Sequence, residues 1–223
     1  MASDLQTAPG DVRLRLTEIF FSLQGESSFA GLPCVMIRLT GCNLRCTWCD
    51  TEYSFHGGDW MTVDEILVKT ASYGARRVEI TGGEPLLQKD VRVLAQRLLD
   101  AGYTVLCETS GERDIDILPR EVHRIVDFKA PASGESHRND WANVDRLTPN
   151  DEVKFVVQDR ADFDWMLEQV ERHRLAGRAQ LLVAPVYGVM NPTELAGWLL
   201  ASGLDARLNL QVHKLLWGET PGT

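Results

Sequence analysis

The sequence predicts an α/β protein that folds as a partial, modified (β/α) TIM-like barrel. Short β-branched or aliphatic runs alternate with segments of helical periodicity, which indicates a parallel sheet covered by helices. Polar motifs follow the first three of these strands at their carboxyl ends, with Cys42, Gly82–Glu84 and Thr109–Ser110 in turn. Functional loops gathered on one face favour a barrel over an open doubly wound sheet. The strands are too few for a complete eight-fold barrel.

The predicted strands are short runs rich in Val, Ile and Leu. Lys129 closes the fourth of them and Pro185–Tyr187 follow the sixth, so both belong to the same end of the sheet as the motifs above. In chain order the strands are Val35–Leu39, Arg77–Thr81, Val105–Glu108, Ile125–Lys129, Val153–Val157, Leu181–Ala184 and Leu208–Val212.

Helical spacing is found in the segments between the strands. Thr62 and Glu65 form a capping box ahead of the first helix. Apolar side chains recur at helical intervals over Val91–Leu98 and again over Phe163–Val170. Asn191–Pro192 suits the N-cap and first position of the last helix. These helices would cover the predicted sheet.

Length and charge limit the classes of protein to which the chain can belong. Its 223 residues suffice for one domain with a sizeable core, which we assign to residues 13–223. Residues 1–12 lack the apolar segment of a signal peptide and are expected to be a disordered tail. A net charge of −9 disfavours nucleic acid as a partner, and no apolar run approaches the roughly 20 residues of a membrane span. A cytoplasmic protein without a membrane or nucleic-acid partner is therefore expected.

The strongest chemical signal is a cysteine cluster directly after the first predicted strand. Cys42, Cys46 and Cys49 have the spacing C-x3-C-x2-C. Three thiolates on a tight loop can ligate three irons of a [4Fe–4S] cluster and leave the fourth iron open to another ligand. Such crowding does not resemble a secreted disulfide framework. The loop is therefore a candidate iron–sulfur site.

The cysteines allow two other interpretations. An electron-transfer ferredoxin would supply a fourth ligand, but Cys34 and Cys107 lie on predicted strands and are expected to be buried structural thiols. A non-catalytic module could instead hold a structural zinc completed by His56. Zinc sites usually combine two C-x2-C-like pairs, and one such pair is present in this sequence.

A second motif supports the interpretation of the cysteine loop as an iron–sulfur site. The cysteine loop contains Trp48, and the sequence Thr81-Gly82-Gly83-Glu84-Pro85 follows the next predicted strand. Together these motifs resemble the radical S-adenosylmethionine superfamily. The resemblance implies a barrel of the radical SAM type, with S-adenosyl-L-methionine bound at the open iron of the cluster. Glycine suits the second motif because it allows the backbone to approach a ligand closely.

Further strings narrow the resemblance to the 7-carboxy-7-deazaguanine synthase family, over about Leu16 to Trp217. That family converts 6-carboxy-5,6,7,8-tetrahydropterin to 7-carboxy-7-deazaguanine with loss of ammonia, in the biosynthesis of queuosine and related 7-deazapurines such as preQ0. The strings that carry the resemblance are Glu18–Glu26, Arg38, Cys49–Thr51, Glu108–Gly111, Asp127–Lys129 and Gln211–Lys214.

The resemblance implies a role for each matching residue. Thr51 would contribute an oxygen to a Mg²⁺ ion, which prefers oxygen ligands. Arg38 would bind the substrate carboxylate through its guanidinium fork. The substrate site would comprise Leu23, Gln24, Gly25, Glu26, Arg38 and Thr81. The S-adenosylmethionine site would comprise Trp48, Asp50, Gly82, Gly83, Glu84, Ser110, Asp127, Phe128, Lys129, Ala184, Pro185, Val186 and Tyr187.

The resemblance also implies how the enzyme would work and with what partners. It would be a carbon–nitrogen lyase with radical chemistry at the cofactor and no side chain as catalytic acid or base. It would be a homodimer reduced by an electron donor such as flavodoxin or ferredoxin. The alternative within the superfamily is a glycyl-radical-enzyme activase, which shares the cluster spacing but should lack the Leu23–Glu26 string.

Overall fold

A computed structural model describes residues 12–220 and 222. Its strands are β1 (Arg13–Leu23), β2 (Pro33–Leu39), β3 (Asp59–Thr62), β4 (Arg77–Gly82), β5 (Thr104–Thr109), β6 (His123–Asp127), β7 (Glu152–Val157), β8 (Gln180–Pro185) and β9 (Arg207–Leu208). Its α-helices are α1 (Val63–Ala71), α2 (Val91–Asp100), α3 (Arg160–Arg172), α4 (Pro192–Ser202) and α5 (Val212–Trp217).

These strands form one mixed sheet in the order β3-β1-β2-β4-β5-β6-β7-β8-β9. β1 runs antiparallel to β2 and β3, and the pairings from β2 through β9 are parallel. Buried side chains of α1–α4 form one core cluster with side chains of the sheet. The open, mainly parallel sheet with helices confirms the predicted partial, modified barrel.

A small separate cluster lies on the other face of the sheet. Leu106, Ile125 and Leu182 pack together with Phe29, which comes from the β1–β2 connection. Because side chains alternate between the two faces of a strand, these residues face away from the neighbouring Val105, Val126 and Val183 of the main core. Phe29 therefore covers part of the sheet face opposite the main core.

The helix signals in the sequence are confirmed. The Glu65 amide donates to Thr62 Oγ1 at 3.2 Å, while the Thr62 amide donates to Glu65 Oε2 at 2.7 Å. Asn191 Oδ1 accepts from the amide of Thr193 at 2.9 Å and so caps α4. These contacts satisfy amides that the first helical turn leaves without partners.

The sheet differs from the prediction at its edges. Sequence analysis does not predict β1, in which buried Leu14 and Leu16 alternate with charged residues before the pattern is lost at half-exposed positions. β3 is also missed. The predicted strand Leu208–Val212 is wrong, since β9 ends at Leu208 and Val212 begins α5. A strand this short offers too few residues for a period-2 pattern.

Val12, the last residue of the predicted tail, is anchored to the domain. The carbonyl of Val12 accepts a hydrogen bond from the Val63 amide at 2.9 Å, and its side chain packs against the core. The rest of the predicted tail, residues 1–11, lies outside the described residues. Within residues 12–220 and 222, no helix has the length and apolar character to cross a membrane.

An ion pair between Arg124 and Asp151 ties β6 to the turn before β7. Both side chains are fully buried, with Nε to Oδ1 at 2.9 Å and Nη2 to Oδ2 at 2.6 Å. Arg124 also donates to the carbonyl of Arg146 at 2.9 Å. The two-pronged geometry satisfies charges that burial would otherwise leave without partners.

We expect Asp151→Asn to lower the free energy of unfolding by about 3 kcal/mol, because it removes the buried charge partner of the guanidinium and leaves only the longer pair with the half-exposed Asp116, at 3.4 Å. The matched control is Asp145→Asn, which breaks an exposed pair with Arg178 at 3.4 Å and should cost under about 0.5 kcal/mol. Urea unfolding followed by circular dichroism measures both. Equal effects would contradict the role given to the buried pair.

Candidate active site

The carboxyl ends of β2 and β4–β8 surround a cavity of about 590 Å³. This volume falls in the range of about 300–1,000 Å³ that ligand pockets commonly have. The wall includes nearly all the site residues that the sequence predicts: Leu23, Gln24, Gly25, Glu26, Arg38, Cys42, Cys46, Trp48, Cys49, Asp50, Thr51, Thr81, Gly82, Gly83, Ser110, Asp127, Lys129, Ala184, Pro185, Val186 and Tyr187.

The three clustered cysteines are half-buried and line this one cavity. Their loop is fastened to the segment after β6, where Thr47 donates from its amide to Ser133 O and from its hydroxyl to Ala132 O. Burial raises the pKa of all three thiols, that of Cys46 to about 11. Their thiolate form therefore needs a nearby cation, which a metal cluster supplies.

The arrangement of the cysteines bears on which metal they suit. Among the described residues, no three His, Cys, Asp or Glu side chains are grouped to hold a single metal ion. The thiolates of an iron–sulfur cubane bind different irons and need not meet at one point. His56, the fourth ligand of the zinc alternative, is exposed and lies outside the cavity wall. Cys34 and Cys107 are fully buried, as predicted.

The glycine motif packs directly on the cysteine loop. The Glu84 amide donates to Gly41 O at 2.8 Å. A Cβ atom at Gly83 would lie 2.4 Å from Gly41 O and 2.6 Å from Cys42 Cβ. Gly82 has a φ of 153°, and a Cβ there would lie 2.3 Å from Leu39 O. Glycine is required because the two loops leave no room for a side chain.

Glu84 is a correction to the predicted cofactor site, because its side chain is buried and lies outside the cavity wall. Its carboxylate accepts from the Leu86 amide at 2.9 Å, the Thr109 hydroxyl at 2.8 Å and the Ser110 amide at 2.7 Å. With these bonds made, Glu84 fastens the glycine loop to the end of β5.

Phe128 is a second correction. Its ring is fully buried in the main core, where it stacks on Trp141 with a centroid separation of 4.5 Å. Side chains alternate along the extended chain, so Phe128 points away from the cavity while Asp127 and Lys129 point into it. These two form an ion pair at 2.7 Å.

Two polar atoms in the wall are ready for a ligand. Ser110 Oγ and Asp127 Oδ1 are buried, and neither has a hydrogen-bond partner within residues 12–220 and 222. A buried polar atom without a partner is unfavourable by about 1–3 kcal/mol. A polar ligand in the cavity would satisfy both atoms.

The opposite part of the wall is built on the β1–β2 connection. Gln24 is buried there and donates from Nε2 to Glu79, while its Oε1 accepts from the Glu26 amide. Gly25 lies against His213, because a Cβ at Gly25 would be 1.7 Å from His213 Nδ1. The carbonyl of Gly25 accepts from the amide of Val212 at 2.8 Å. This connection is therefore held from both sides.

Arg38 projects from β2 into the cavity wall. Its Nε pairs with Glu18 Oε1 at 2.7 Å, and its guanidinium lies 5.8 Å from the ring centroids of both Phe20 and Tyr53. Among the described residues, the bond from Nε to Glu18 is the one hydrogen bond that the guanidinium makes. Its two terminal nitrogens remain able to donate to an anion.

The cavity also contains ionisable residues that the sequence analysis did not assign. Glu79, Glu108 and Lys154 project from β4, β5 and β7 into its wall. Burial and the nearby Glu108 raise the pKa of Glu79 to about 8. The sequence does carry a signal for these residues, since each is a charged residue within an apolar strand. Charged side chains are rare at such buried positions, so their presence there favours a functional role.

The C-terminal helix closes one side of the cavity. Gln211 donates to Glu26 Oε1 at 2.8 Å, and Lys214 pairs with Asp50 of the cysteine loop. The Lys214 ammonium also lies 4.9 Å from the ring centroid of Tyr187. Burial opposes the charge on Asp50, but Lys214 outweighs it and lowers the pKa of this carboxyl.

Comparisons of the sequence with a family model and with individual proteins agree with each other. The Radical SAM superfamily matches residues 36–191. The 7-carboxy-7-deazaguanine synthase of Koribacter versatilis is 45% identical, covering 94% of this chain and 99% of the relative. The enzyme of the same name from Chlorobaculum tepidum is 42% identical, covering 92% and 94%.

A solved structure supports the fold. The crystal structure of QueE from Escherichia coli is 24% identical and superposes with a TM-score of 0.73, covering 96% of this chain and all of that one. Together with the sequence relatives, the match extends over almost the entire described chain. The chain belongs to the 7-carboxy-7-deazaguanine synthase family of the radical SAM superfamily.

Proposed function

We propose that the protein converts 6-carboxy-5,6,7,8-tetrahydropterin to 7-carboxy-7-deazaguanine with loss of ammonia. The observation that carries this proposal is a single cavity lined by the three clustered cysteines, a cationic Arg38 and the half-buried acceptor Glu26. The named relatives, which match over nearly the whole chain, support the same activity. They disfavour the activase and zinc-module alternatives.

A [4Fe–4S] cluster and S-adenosylmethionine are the cofactors that the superfamily implies, and the wall suits both. Cys42, Cys46 and Cys49 supply three soft thiolates. The open polar atoms of Ser110 and Asp127 can bind the cofactor, beside the glycine loop. When bound, the cluster and S-adenosylmethionine supply a 5′-deoxyadenosyl radical that removes a hydrogen atom from the substrate.

The chain itself would bind and orient the cofactor and the substrate, and would protect the reacting atoms from water. Gly82 and Gly83 allow their loop to pack on the cysteine loop beside the proposed cofactor site, and the Lys129–Asp127 pair keeps that part of the wall near neutral. Trp48, Pro185 and Val186 add apolar surface to the wall, which helps to exclude water from the reacting atoms. No side chain would act as a catalytic acid or base.

The substrate would occupy the part of the cavity between Arg38 and Glu26. A carboxylate that enters a low-dielectric pocket needs a cationic partner. The terminal nitrogens of Arg38 are available for it, since Nε is already bound to Glu18. Gly25 would present its backbone amide to the ring, and Glu26 would accept hydrogen bonds from the ring nitrogens.

A Mg²⁺ ion would bind beside the cysteine loop through Thr51. The hydroxyl of Thr51 lines the cavity and donates to Asp50 Oδ1 at 2.8 Å, so its oxygen lone pairs remain available. Mg²⁺ commonly takes one or two protein ligands and completes its shell with water and substrate oxygens. Here the Thr51 hydroxyl would be the protein ligand, and the substrate carboxylate would supply a further oxygen.

Two protein partners belong to the proposal. An electron donor such as flavodoxin or ferredoxin would reduce the cluster. A second copy of the chain would form a homodimer, for which the exposed apolar residues Leu215, Leu216 and Trp217 of α5 offer one suitable surface.

We expect Cys42→Ala, Cys46→Ala and Cys49→Ala to abolish the brown colour of the reconstituted protein and all formation of 5′-deoxyadenosine, because each removes a cluster ligand. The matched controls, Cys34→Ala and Cys107→Ala, should retain both, with some loss of stability from small cavities. Iron analysis and absorbance after anaerobic reconstitution measure this. An intact, active cluster in Cys46→Ala would refute the assignment.

Thr51→Ala should weaken the response of turnover to Mg²⁺ while leaving the iron content unchanged, because it removes one oxygen ligand among several. Turnover measured over a Mg²⁺ titration, after chelation, provides the comparison with wild type. If removing Mg²⁺ leaves the wild-type rate unaltered, the proposed magnesium site is wrong.

Arg38→Lys should weaken binding of the carboxytetrahydropterin by about 2–4 kcal/mol, since a lysine cannot reproduce the guanidinium fork. The affinity for S-adenosylmethionine should change little. Isothermal titration of the reconstituted protein with each ligand separates the two effects, and Arg97→Lys, in an exposed pair with Asp64, is the control. An equal loss for both ligands would assign Arg38 a structural role.

A further inference from the structure

Lys154 lies at the centre of the acidic part of the cavity wall. The residue is 4% exposed, and its Nζ lies 2.7 Å from Glu26 Oε2 and within hydrogen-bonding distance of Glu108 Oε1. Asp127 Oδ2 is 3.9 Å away. One ammonium group thus joins carboxylates that come from the β1–β2 connection, from β5 and from the end of β6.

Fold stability alone does not account for this lysine. Burial favours a neutral amine, but Glu108 and Glu26 outweigh it and raise the pKa of Lys154 well above its usual value. A buried ion pair often stabilises a protein no more than apolar residues of the same volume would. A methionine at this position of β7, with neutral residues in place of the carboxylates, would fill the same volume and stabilise the fold equally well.

The two nearer carboxylates keep acceptor capacity that faces the cavity. In the hydrogen bonds of the described residues, Glu108 accepts one, at Oε1 from Lys154, and its side chain is 24% exposed. Glu26 accepts from Lys154 and Asn209 at Oε2 and from Gln211 at Oε1. Because one nitrogen binds both, these carboxylates are held as neighbours despite their like charge.

We propose that Lys154 is a positioning residue for the substrate, which holds Glu26 and Glu108 as adjacent hydrogen-bond acceptors in the cavity wall. This inference rests on the proposed function, because it concerns how the pterin ring is selected. A 2-amino-4-oxopyrimidine edge presents neighbouring N–H donors, which paired carboxylates accept well. Without the ammonium the two carboxylates would repel each other and turn apart.

The experiment compares two probes on reconstituted protein by isothermal titration: 6-carboxytetrahydropterin and its analogue with hydrogen in place of the 2-amino group. The wild-type protein should prefer the pterin by about tenfold or more, the worth of a hydrogen bond to a charged group. Lys154→Met should lose most of that preference while its affinity for S-adenosylmethionine changes little. Lys69→Met, an exposed lysine of α1, is the matched control.

An equal loss of affinity for both probes, or an undiminished preference, would overturn the role given to Lys154. Should Lys154→Met fail to fold, Glu108→Gln carries the same test, because it keeps the shape but weakens the link to the ammonium. A retained preference in Glu108→Gln would then overturn the inference.

Product formation by the wild-type protein is measured separately. Its absence would overturn the proposed function and with it this inference. Normal wild-type turnover together with an unchanged preference in the variant would overturn the role of Lys154 alone.

Discussion

The site depends on one close contact between two backbone loops. The loop after β4 packs on the loop after β2, with the amide of Glu84 bonded to Gly41 O at 2.8 Å. The absence of side chains at Gly82 and Gly83 permits this approach, and Glu84 then fastens the pair to β5. Parallel pairing of β2 with β4 brings both loops to the same end of the sheet. The cysteine loop therefore meets the glycine loop through backbone geometry.

A second constraint is the balance of charge in a cavity that must also exclude water. Carboxylates of Glu26, Glu108 and Asp127 face two ammonium groups, those of Lys129 and Lys154. Each cation contacts Asp127, so the two halves of the wall share one ionic network. Such networks fix side-chain positions closely, because every member that moves leaves another buried charge without a partner.

The sequence predicts most of the fold and the centre of the site, because strand–helix alternation and the cysteine and glycine motifs are local patterns. The sequence does not predict the parts of the structure that depend on contacts between residues far apart in the chain. Nothing in the local pattern of β3 indicates that it pairs with β1. Glu84 matches a motif, but its orientation follows from Thr109 and Ser110 on another strand. Lys154 is likewise understood through partners that lie far away in the sequence.

The contacts of α5 also bear on how the protein folds. Gln211 and Glu26 are 185 residues apart in the sequence, and Lys214 reaches back to Asp50 over 164 residues. Contacts of such long range pay their loop-closure entropy late in folding. The side of the cavity that α5 closes is therefore expected to form late in folding, after the shorter-range contacts that build the strands and the cysteine loop.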